Sequence, residues 1–367
     1  MINKLFRNIR TILNLTLAWF IGLLLYYSII YLTLDEVGVP ENAFSNIFNL
    51  VVFLSILFGL MNGILEITIF RSKFKRIKFS LVVIYKTALI IVVFVVSVII
   101  FISAKNYVFA PLGITMGSPP KANEIISFFS GSAFYKHGGF VIIMSFMINF
   151  FFQLKSKMGK GVLFNLFIGK YHFPRQEKRI IMFLDLTSAT TIAEKMPLSQ
   201  YSLFLQDFFS VIDDAINETK GSIFQFVGDE VVILWDLKQG VENNNSIRFF
   251  FLAQKKILDL KDYFMDKYNV VPEFKAGLHS GSVVITEVGV TKQEIAYHGD
   301  TVNTAARIRS ACNNVNKKFL VSAEILSQLT DIDIKYSVEY VGLSNLKGKK
   351  NIIGLLSIEE KDGRPDL

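Results

Sequence analysis

The chain has 367 residues, of which 51% are hydrophobic, and it carries a formal net charge of +8. Its mean hydropathy of +0.42 is too high for an ordinary soluble protein, and its length predicts about two structural units. The single cysteine excludes an internal disulfide, and the four histidines show no metal-ligand spacing. We therefore expect a membrane part and no zinc site.

Four apolar stretches have the length needed to cross a bilayer. They cover residues 13–34, 46–70, 79–103 and 138–154. The first is too long for the apolar region of a signal peptide and is expected to be retained. Basic residues precede the first stretch, join the second to the third, and follow the fourth. These residues are Lys4, Arg7, Arg10, Arg71, Lys73, Lys75, Arg76, Lys78, Lys155, Lys157 and Lys160.

The distribution of these charges predicts the orientation, because basic residues stay on the cytoplasmic side of a membrane. One of the outer connections instead carries Asp35, Glu36 and Glu41. We expect an integral protein of the cell (inner) membrane, surrounded by lipid, with both termini in the cytoplasm. The basic flanks also account for the net charge, since 28 basic residues remain against 31 acidic ones without them. A nucleic-acid partner is therefore not expected.

From about residue 178 the pattern changes to alternating strands and helices. Strands are predicted over 179–186, on both sides of a turn within 221–235, and in 274–289. Helices are predicted over 201–216, 247–268 and 301–312. This order predicts an α/β domain with helices packed on a sheet.

These patterns divide the chain into four parts. We place a membrane domain at 1–155, a linker at 156–178, the α/β domain at 179–358 and a tail at 359–367. The linker begins amphipathic and is stopped by Pro174, which predicts a short interfacial or paired helix.

Two acidic residues stand where predicted buried strands end. Asp229 lies in a Gly-Asp turn in FQFVGDEVVILW (224–235), and Asp185 ends the strand before it. Two carboxylates brought together repel unless cations lie between them, and Mg²⁺ binds one or two carboxylates together with substrate phosphates. The alternative is that Asp229 only forms a hairpin turn. Glu230 should alternate to the other face of its strand, in a structural or solvated role.

Two further segments could bind phosphate. The stretch TIAE (191–194) fits a capping box, so that Thr190 and Thr191 would lie at a helix N-terminus with free backbone N–H groups. In YHGDTVNTAARI (297–308), Asn303 and Arg307 are four residues apart and project from one helix face. The turn LKGKK (346–350) adds Lys347. Taken singly, these could be a surface helix and a solvated basic loop.

The ordered set of motifs resembles the class III nucleotidyl cyclases, the adenylate and guanylate cyclase family, over about residues 179–358. The matching motifs are FLDLTSATT, FQFVGDEVVILW, GLHSGSVVITEVG as a Gly-rich strand pair, HGDTVNTAAR and LKGK. The resemblance implies that the α/β domain is a cyclase domain of the ferredoxin-like (α+β) type. Together with the four apolar stretches, the predicted fold is an N-terminal four-helix transmembrane bundle followed by this domain.

The resemblance also implies a head-to-tail homodimer with two composite sites. Asp185 and Asp229 of one subunit, with Leu186 beside them, would hold two Mg²⁺ or Mn²⁺ ions per active site. Asn303, Arg307 and Lys347 would reach in from the other subunit, and Thr190 and Thr191 would contact phosphate.

The reaction implied is the conversion of ATP to cyclic AMP and pyrophosphate by attack of the ribose 3′-hydroxyl on the α-phosphate. Arg307 would stabilise the developing charge and Asn303 would orient the ribose.

The positions that select the base depart from the family pattern. Gln225 stands where adenylate cyclases usually carry Lys and guanylate cyclases Glu, and Ala296 aligns with its partner position. Because a glutamine amide both donates and accepts hydrogen bonds, Gln225 could pair with either purine. ATP is the expected substrate by resemblance only, with GTP as the alternative.

Two other function classes stay open. One is a non-catalytic nucleotide-binding regulator, and the other a transporter or receptor with a structural soluble domain. The sequence indicates no upstream stimulus. In the membrane part, Glu66 and Lys86 lie at similar depth, where they either form an interhelical ion pair that sets the bundle geometry or snorkel to the interface.

Overall fold

A computed structural model describes residues 2–35, 43–70, 78–104, 131–159, 161–344 and 352–361. The chain divides into two compact units, residues 1–158 and 159–367. Each unit has its own hydrophobic core.

The membrane unit contains four long helices. They are α1 (Ile2–Asp35), α2 (Ala43–Leu65), α3 (Phe79–Ala104) and α4 (Ser132–Met158). All four are long and apolar enough to cross a membrane, which confirms the four predicted apolar spans. Their inward faces share a core in which the rings of Trp19 and Phe58 lie 4.9 Å apart, whereas many large apolar side chains on the outward faces are exposed. Such a surface is suited to lipid.

Glycines allow α1 and α2 to approach closely. A β-carbon on Gly59 would lie 2.2 Å from Oγ1 of Thr16, and one on Gly63 would lie 2.7 Å from a side-chain carbon of Ile12. Small residues at such crossings let two helix backbones pack together in lipid.

Of the two alternatives for Glu66 and Lys86, the structure shows the ion pair. The ammonium of Lys86 contacts the Glu66 carboxylate, and only 2% of the Lys86 side chain is exposed. The alternative, in which both side chains snorkel to the interface, is therefore wrong. Glu66 opens a π-helical turn (Glu66–Phe70) that follows α2, and the Lys86 ammonium also lies 5.9 Å from the ring centre of Phe152.

The second unit is built on a mixed sheet. Its strands are β1 (Arg175–Leu186), β2 (Ser222–Val227), β3 (Glu230–Asp236), β4 (Phe274–Val288), β5 (Glu294–His298), β6 (Phe319–Ser322), β7 (Tyr336–Ser344) and β8 (Ile353–Glu360). They run in the order β2-β3-β1-β4-β6-β8-β7, and β5 extends from β4. The pairing β2-β3-β1-β4 is antiparallel throughout, as the ferredoxin-like prediction requires.

Helices cover both faces of this sheet. They are α5 (Val162–Phe167), α6 (Ala189–Glu194), α7 (Leu198–Glu218), α8 (Leu237–Val241), α9 (Asn245–Leu258), α10 (Lys261–Tyr268), α11 (Asp300–Asn314), α12 (Ala323–Leu326) and α13 (Ile332–Lys335). Alternation along β1 divides its side chains between the faces. Ile180 and Met182 pack with α7 and α9, whereas Ile181 and Phe183 pack in a cluster that includes Ala305 of α11.

Several predicted boundaries change. The segment 247–268 forms two helices, α9 and α10, rather than one. The segment 277–289, which the resemblance implied to be a strand pair, belongs up to Val288 to the single long strand β4. The linker helix α5 has only six residues, and β1 begins at Arg175, immediately after Pro174, where a proline can precede a strand without removing a ladder hydrogen bond.

The buried pair predicts the effect of reversing its charges. Glu66→Lys or Lys86→Glu would place like charges together in the bundle, and loss of one partner from a buried pair typically costs about 3–5 kcal/mol. Each single reversal is expected to lower the thermal stability of the detergent-solubilised protein, and the double reversal is expected to recover most of that loss.

Lys155→Glu, at an exposed position near the end of α4, is the matched control and should melt like the parent. A double reversal as unstable as the single variants would show that the pair does not set the bundle geometry.

Candidate functional site

Two strands bring the candidate metal carboxylates together. In the antiparallel pairing of β1 with β3, Asp185 lies opposite Glu230. Gly228, with a φ of 63°, turns the chain so that Asp229 precedes Glu230 at the same edge of the sheet. The carboxylate of Asp229 lies near enough to Asp185 to raise the pKa of the Asp185 carboxyl. The structure thus brings together the two acids that the sequence singled out.

An arginine that the sequence analysis did not single out joins this cluster. Nη1 of Arg309 lies 3.2 Å from Oδ2 of Asp185, and Nη2 lies 2.5 Å from Oε2 of Glu230. The prediction that Glu230 faces away from the site is wrong, because directly paired residues on neighbouring strands share a face. The spacing along α11 could have indicated this position of Arg309. Residues four apart lie on one face of a helix, and Ala305, four residues before Arg309, faces the sheet.

The surroundings of Asp185 favour the binding of a proton or another cation to its carboxylate. Burial raises the pKa of Asp185 to about 6, Arg309 opposes the rise, and the negative charges of Asp229 and Glu230 add to it. Tyr201, near the start of α7, faces the same carboxylates: burial raises the pKa of its hydroxyl, and Asp229 and Asp185 raise it further.

The segment after β1 differs in detail from the prediction. Helix α6 begins at Ala189 and follows Ser188, which has a φ of 57° and makes no side-chain cap. The capping box predicted for 191–194 is therefore wrong, because Thr191 lies inside the helix. Thr190 and Thr191 are exposed in the first turn of α6. Leu186 is buried; because its side chain has no ligand atom, its backbone carbonyl is the group that could bind a metal.

Helix α11 carries the predicted polar pair. Asn303 is exposed and Arg307 is partly exposed, and both lie on one side of the helix as expected. The helix start is fixed to β4, since Oγ1 of Thr301 donates a hydrogen bond of 2.7 Å to the Ser282 carbonyl, and Gly281 leaves room for that side chain. Lys347 lies outside the described residues.

The two candidate base-selecting residues flank one aromatic contact. Gln225 is exposed on β2 beside an irregularity in the β2–β3 pairing. Ala296 lies on β5 and pairs with Thr286 of β4. Their neighbours Phe224 and Tyr297 lie ring to ring at 4.8 Å. This contact connects the two strands within one chain.

The donor set fits a hard divalent cation. Within the described part of the chain, no group of three or more Asp, Glu, His and Cys side chains is arranged to enclose a metal. The site instead offers the close carboxylates of Asp185 and Asp229. Mg²⁺ is typically bound by one or two carboxylates, with the remaining ligands supplied by water and substrate phosphates.

Comparison with known proteins identifies related sequences for this unit. The family model described as "Adenylate and Guanylate cyclase catalytic domain" matches residues 172–357. Adenylate cyclase 2 of Rhizobium meliloti (strain 1021) is 33% identical over 211 residues, which are 58% of this chain and 58% of that protein. Guanylate cyclase 2D of Rattus norvegicus is 28% identical over 170 residues, which are 46% of this chain and 15% of that protein. The chain thus spans less than two thirds of either relative.

A solved structure shows the same fold. A bacterial light-regulated adenylyl cyclase superposes with a TM-score of 0.52 at 18% identity, over 62% of this chain and 66% of that one. The predicted cyclase-type fold of the second unit is therefore confirmed.

Keeping Asp185 ionised should destabilise the metal-free protein. Because the pKa rises from its usual 3.8 to about 6, the penalty grows as pH increases from 4 to 6 and stays constant above 6. With a chelator at pH 7.5, Asp185→Asn is expected to stabilise the unit by about 1 to 2 kcal/mol, after allowance for partial exposure. Arg309 keeps Glu230 as a partner in that variant.

The measurement is thermal unfolding followed by the fluorescence of Trp235, which is buried in this unit, at pH 7.5 and at pH 4.5. Asp266→Asn, at an exposed position on α10, is the control and should leave the melting temperature unchanged. A gain in stability that is equal at both pH values would rule out the ionised carboxylate as its cause.

Proposed function

The chain belongs to the adenylate and guanylate cyclase family, and on that premise we propose that it is a membrane-bound nucleotidyl cyclase that converts ATP to cyclic AMP and pyrophosphate. The observation that carries the proposal is the placement of Asp185 and Asp229 at one sheet edge, where Asp185 pairs with Glu230, the residue after Asp229. Such a carboxylate pair is suited to divalent cations bound together with nucleotide phosphates.

On this proposal, Asp185 and Asp229 hold two Mg²⁺ or Mn²⁺ ions, with the Leu186 carbonyl as a further ligand. When bound, these ions supply an activated ribose 3′-hydroxyl and charge neutralisation for the leaving pyrophosphate. Thr190 and Thr191, in the first turn of α6, contact phosphate oxygens.

The remaining residues come from a second copy in a head-to-tail homodimer. Arg307 stabilises negative charge at the α-phosphate and Asn303 orients the ribose, with Lys347 as an additional phosphate contact. Within one chain, Arg309 and not Arg307 contacts Asp185. This supports the proposal that Arg307 acts in the site of the other subunit. Residues two apart on a helix point about 200° apart, so Arg307 is directed away from its own carboxylates.

The choice of ATP as substrate rests on the identities to known relatives, and the side-chain amide of Gln225 is compatible with it. Adenylate cyclase 2 of Rhizobium meliloti is 33% identical and Guanylate cyclase 2D of Rattus norvegicus 28%, and Gln225 can donate to or accept from a purine edge. Ala296 provides no polar group of its own. A guanylate cyclase that makes cyclic GMP is the second candidate, and a non-catalytic nucleotide-binding regulator is the third.

The membrane unit anchors the enzyme. The four apolar helices and the basic residues that flank them support an integral membrane protein with both termini, and hence the cyclase domain, in the cytoplasm.

Composite sites predict complementation between two inactive variants. Asp185→Ala and Arg307→Ala are each expected to lose more than about nine tenths of the activity, because each removes a group that stabilises the transition state. If the two variants are co-expressed with different tags and purified through both, each heterodimer contains one intact site of two. Such heterodimers should therefore recover about half of the parent rate.

Survival of a tenth or more of the parent rate in Asp185→Ala homodimers would make the metal assignment wrong. Heterodimers as inactive as the single variants, at an equal content of dimer, would contradict the composite site.

A further inference from the structure

Arg309 forms a contact that the proposed reaction does not use. It lies on α11 two residues after Arg307, and its guanidinium joins Asp185 at the end of β1 to Glu230 at the start of β3. One helix thus carries two arginines on opposite sides. Arg307 is proposed to contact the nucleotide bound in the other subunit's site, whereas Arg309 contacts the carboxylates of its own chain.

The backbone of Arg309 is held firmly against the sheet. A β-carbon on Gly277 of β4 would lie 2.1 Å from the backbone nitrogen of Arg309 and 2.6 Å from its Cα. Only a glycine lets the helix approach the strand so closely. About a quarter of the Arg309 side chain, 24%, is exposed. The guanidinium therefore extends from a fixed point on α11 towards the site.

The charges around Arg309 explain why a cation is needed there. Asp185, Asp229 and Glu230 place three carboxylates at one edge of the sheet, and like charges at this spacing disfavour one another. Lys275 is the cross-strand neighbour of Asp185 on β4, but its ammonium bonds to Asn313. Among the residues that the structure describes, Arg309 is the cation seen in ion pairs with Asp185 and Glu230.

We infer that Arg309 is a built-in counter-cation for the metal-site carboxylates, which must leave Asp185 when a divalent cation binds. The inference rests on the proposed function, in which Asp185 is a metal ligand. Glu230 is the residue that keeps Arg309 paired after it leaves, so that no buried charge loses its partner. Arg309 thereby weakens metal binding in the empty site and sets the cation concentration at which the site fills.

The test is Mn²⁺ binding to the full-length protein without nucleotide, measured from the free Mn²⁺ signal by electron paramagnetic resonance. Arg309→Gln is expected to bind Mn²⁺ about tenfold more tightly, because it removes a positive charge that competes for Asp185. Glu230→Gln is expected to bind it several-fold more weakly, because Arg309 then has Asp185 as its remaining carboxylate partner.

The control is Lys318→Gln, which removes one positive charge from an exposed pair with Glu273 and should leave Mn²⁺ affinity unchanged. If Arg309→Gln does not fold, as judged by Trp235 fluorescence, Arg309→Lys carries the test. A lysine keeps the charge but cannot join both carboxylates, so binding about threefold tighter is expected.

Unchanged or weaker Mn²⁺ binding in the folded variant used would overturn the inference and leave Arg309 with a structural role. Asp185→Ala separates this failure from that of the proposed function. If Asp185→Ala binds Mn²⁺ as tightly as the parent, Asp185 is not a metal ligand and the proposed metal site fails, whatever Arg309 does.

Discussion

The repulsion between three carboxylates at one edge of the sheet is the interaction on which the rest of the site depends. The register of β1 against β3 places Asp185 opposite Glu230, and the turn at Gly228 adds Asp229. Burial of the cluster disfavours its negative charge, which raises the pKa of Asp185 to about 6. A fold that keeps such a cluster gives up stability unless a cation binds there. This is the physical argument for the proposal that a divalent cation binds at this edge, rather than a role of Asp229 in turn formation alone.

Helix α11 connects this cluster with the remainder of the proposed reaction. Its start is bonded to β4 through Thr301, and Gly277 lets its backbone lie directly on the strand. The helix therefore cannot move far without disturbing β4, which is paired with the whole of β1 from Phe274 to Ile285. Of the two arginines on its opposite sides, Arg309 contacts the carboxylates of the same chain, and Arg307 is the one proposed to contact a nucleotide in a dimer.

Local patterns were sufficient to predict the elements that carry the site. The Gly-Asp turn between two apolar runs predicted the β2–β3 hairpin, and the spacing of Asn303 and Arg307 predicted their shared helix face. Features that depend on distant parts of the chain were not predictable in this way. The position of Glu230 follows from the register between β1 and β3, and the role of Arg309 from the approach of α11 to β4.

The glycines of β4 were misleading for the same reason. The family resemblance implied a strand pair for the Gly-rich segment 277–289, and glycine commonly ends or bends a strand. In the structure, Gly277 and Gly281 instead make room for α11 within one continuous strand. In the membrane unit, hydropathy predicted the four spans, whereas the similar depth of Glu66 and Lys86 left both an ion pair and snorkelling open. The buried position of Lys86 decided between pairing and snorkelling.

The central claim is that this carboxylate edge binds metal and nucleotide to make a cyclic purine nucleotide. The most direct measurement incubates the purified full-length protein with Mn²⁺ and either ATP or GTP, and identifies the products by mass spectrometry. The account predicts cyclic AMP from ATP; cyclic GMP from GTP alone would retain the cyclase and reverse the choice of base at Gln225. Bound nucleotide with no cyclic product from either reaction would contradict the account and favour a regulator without turnover.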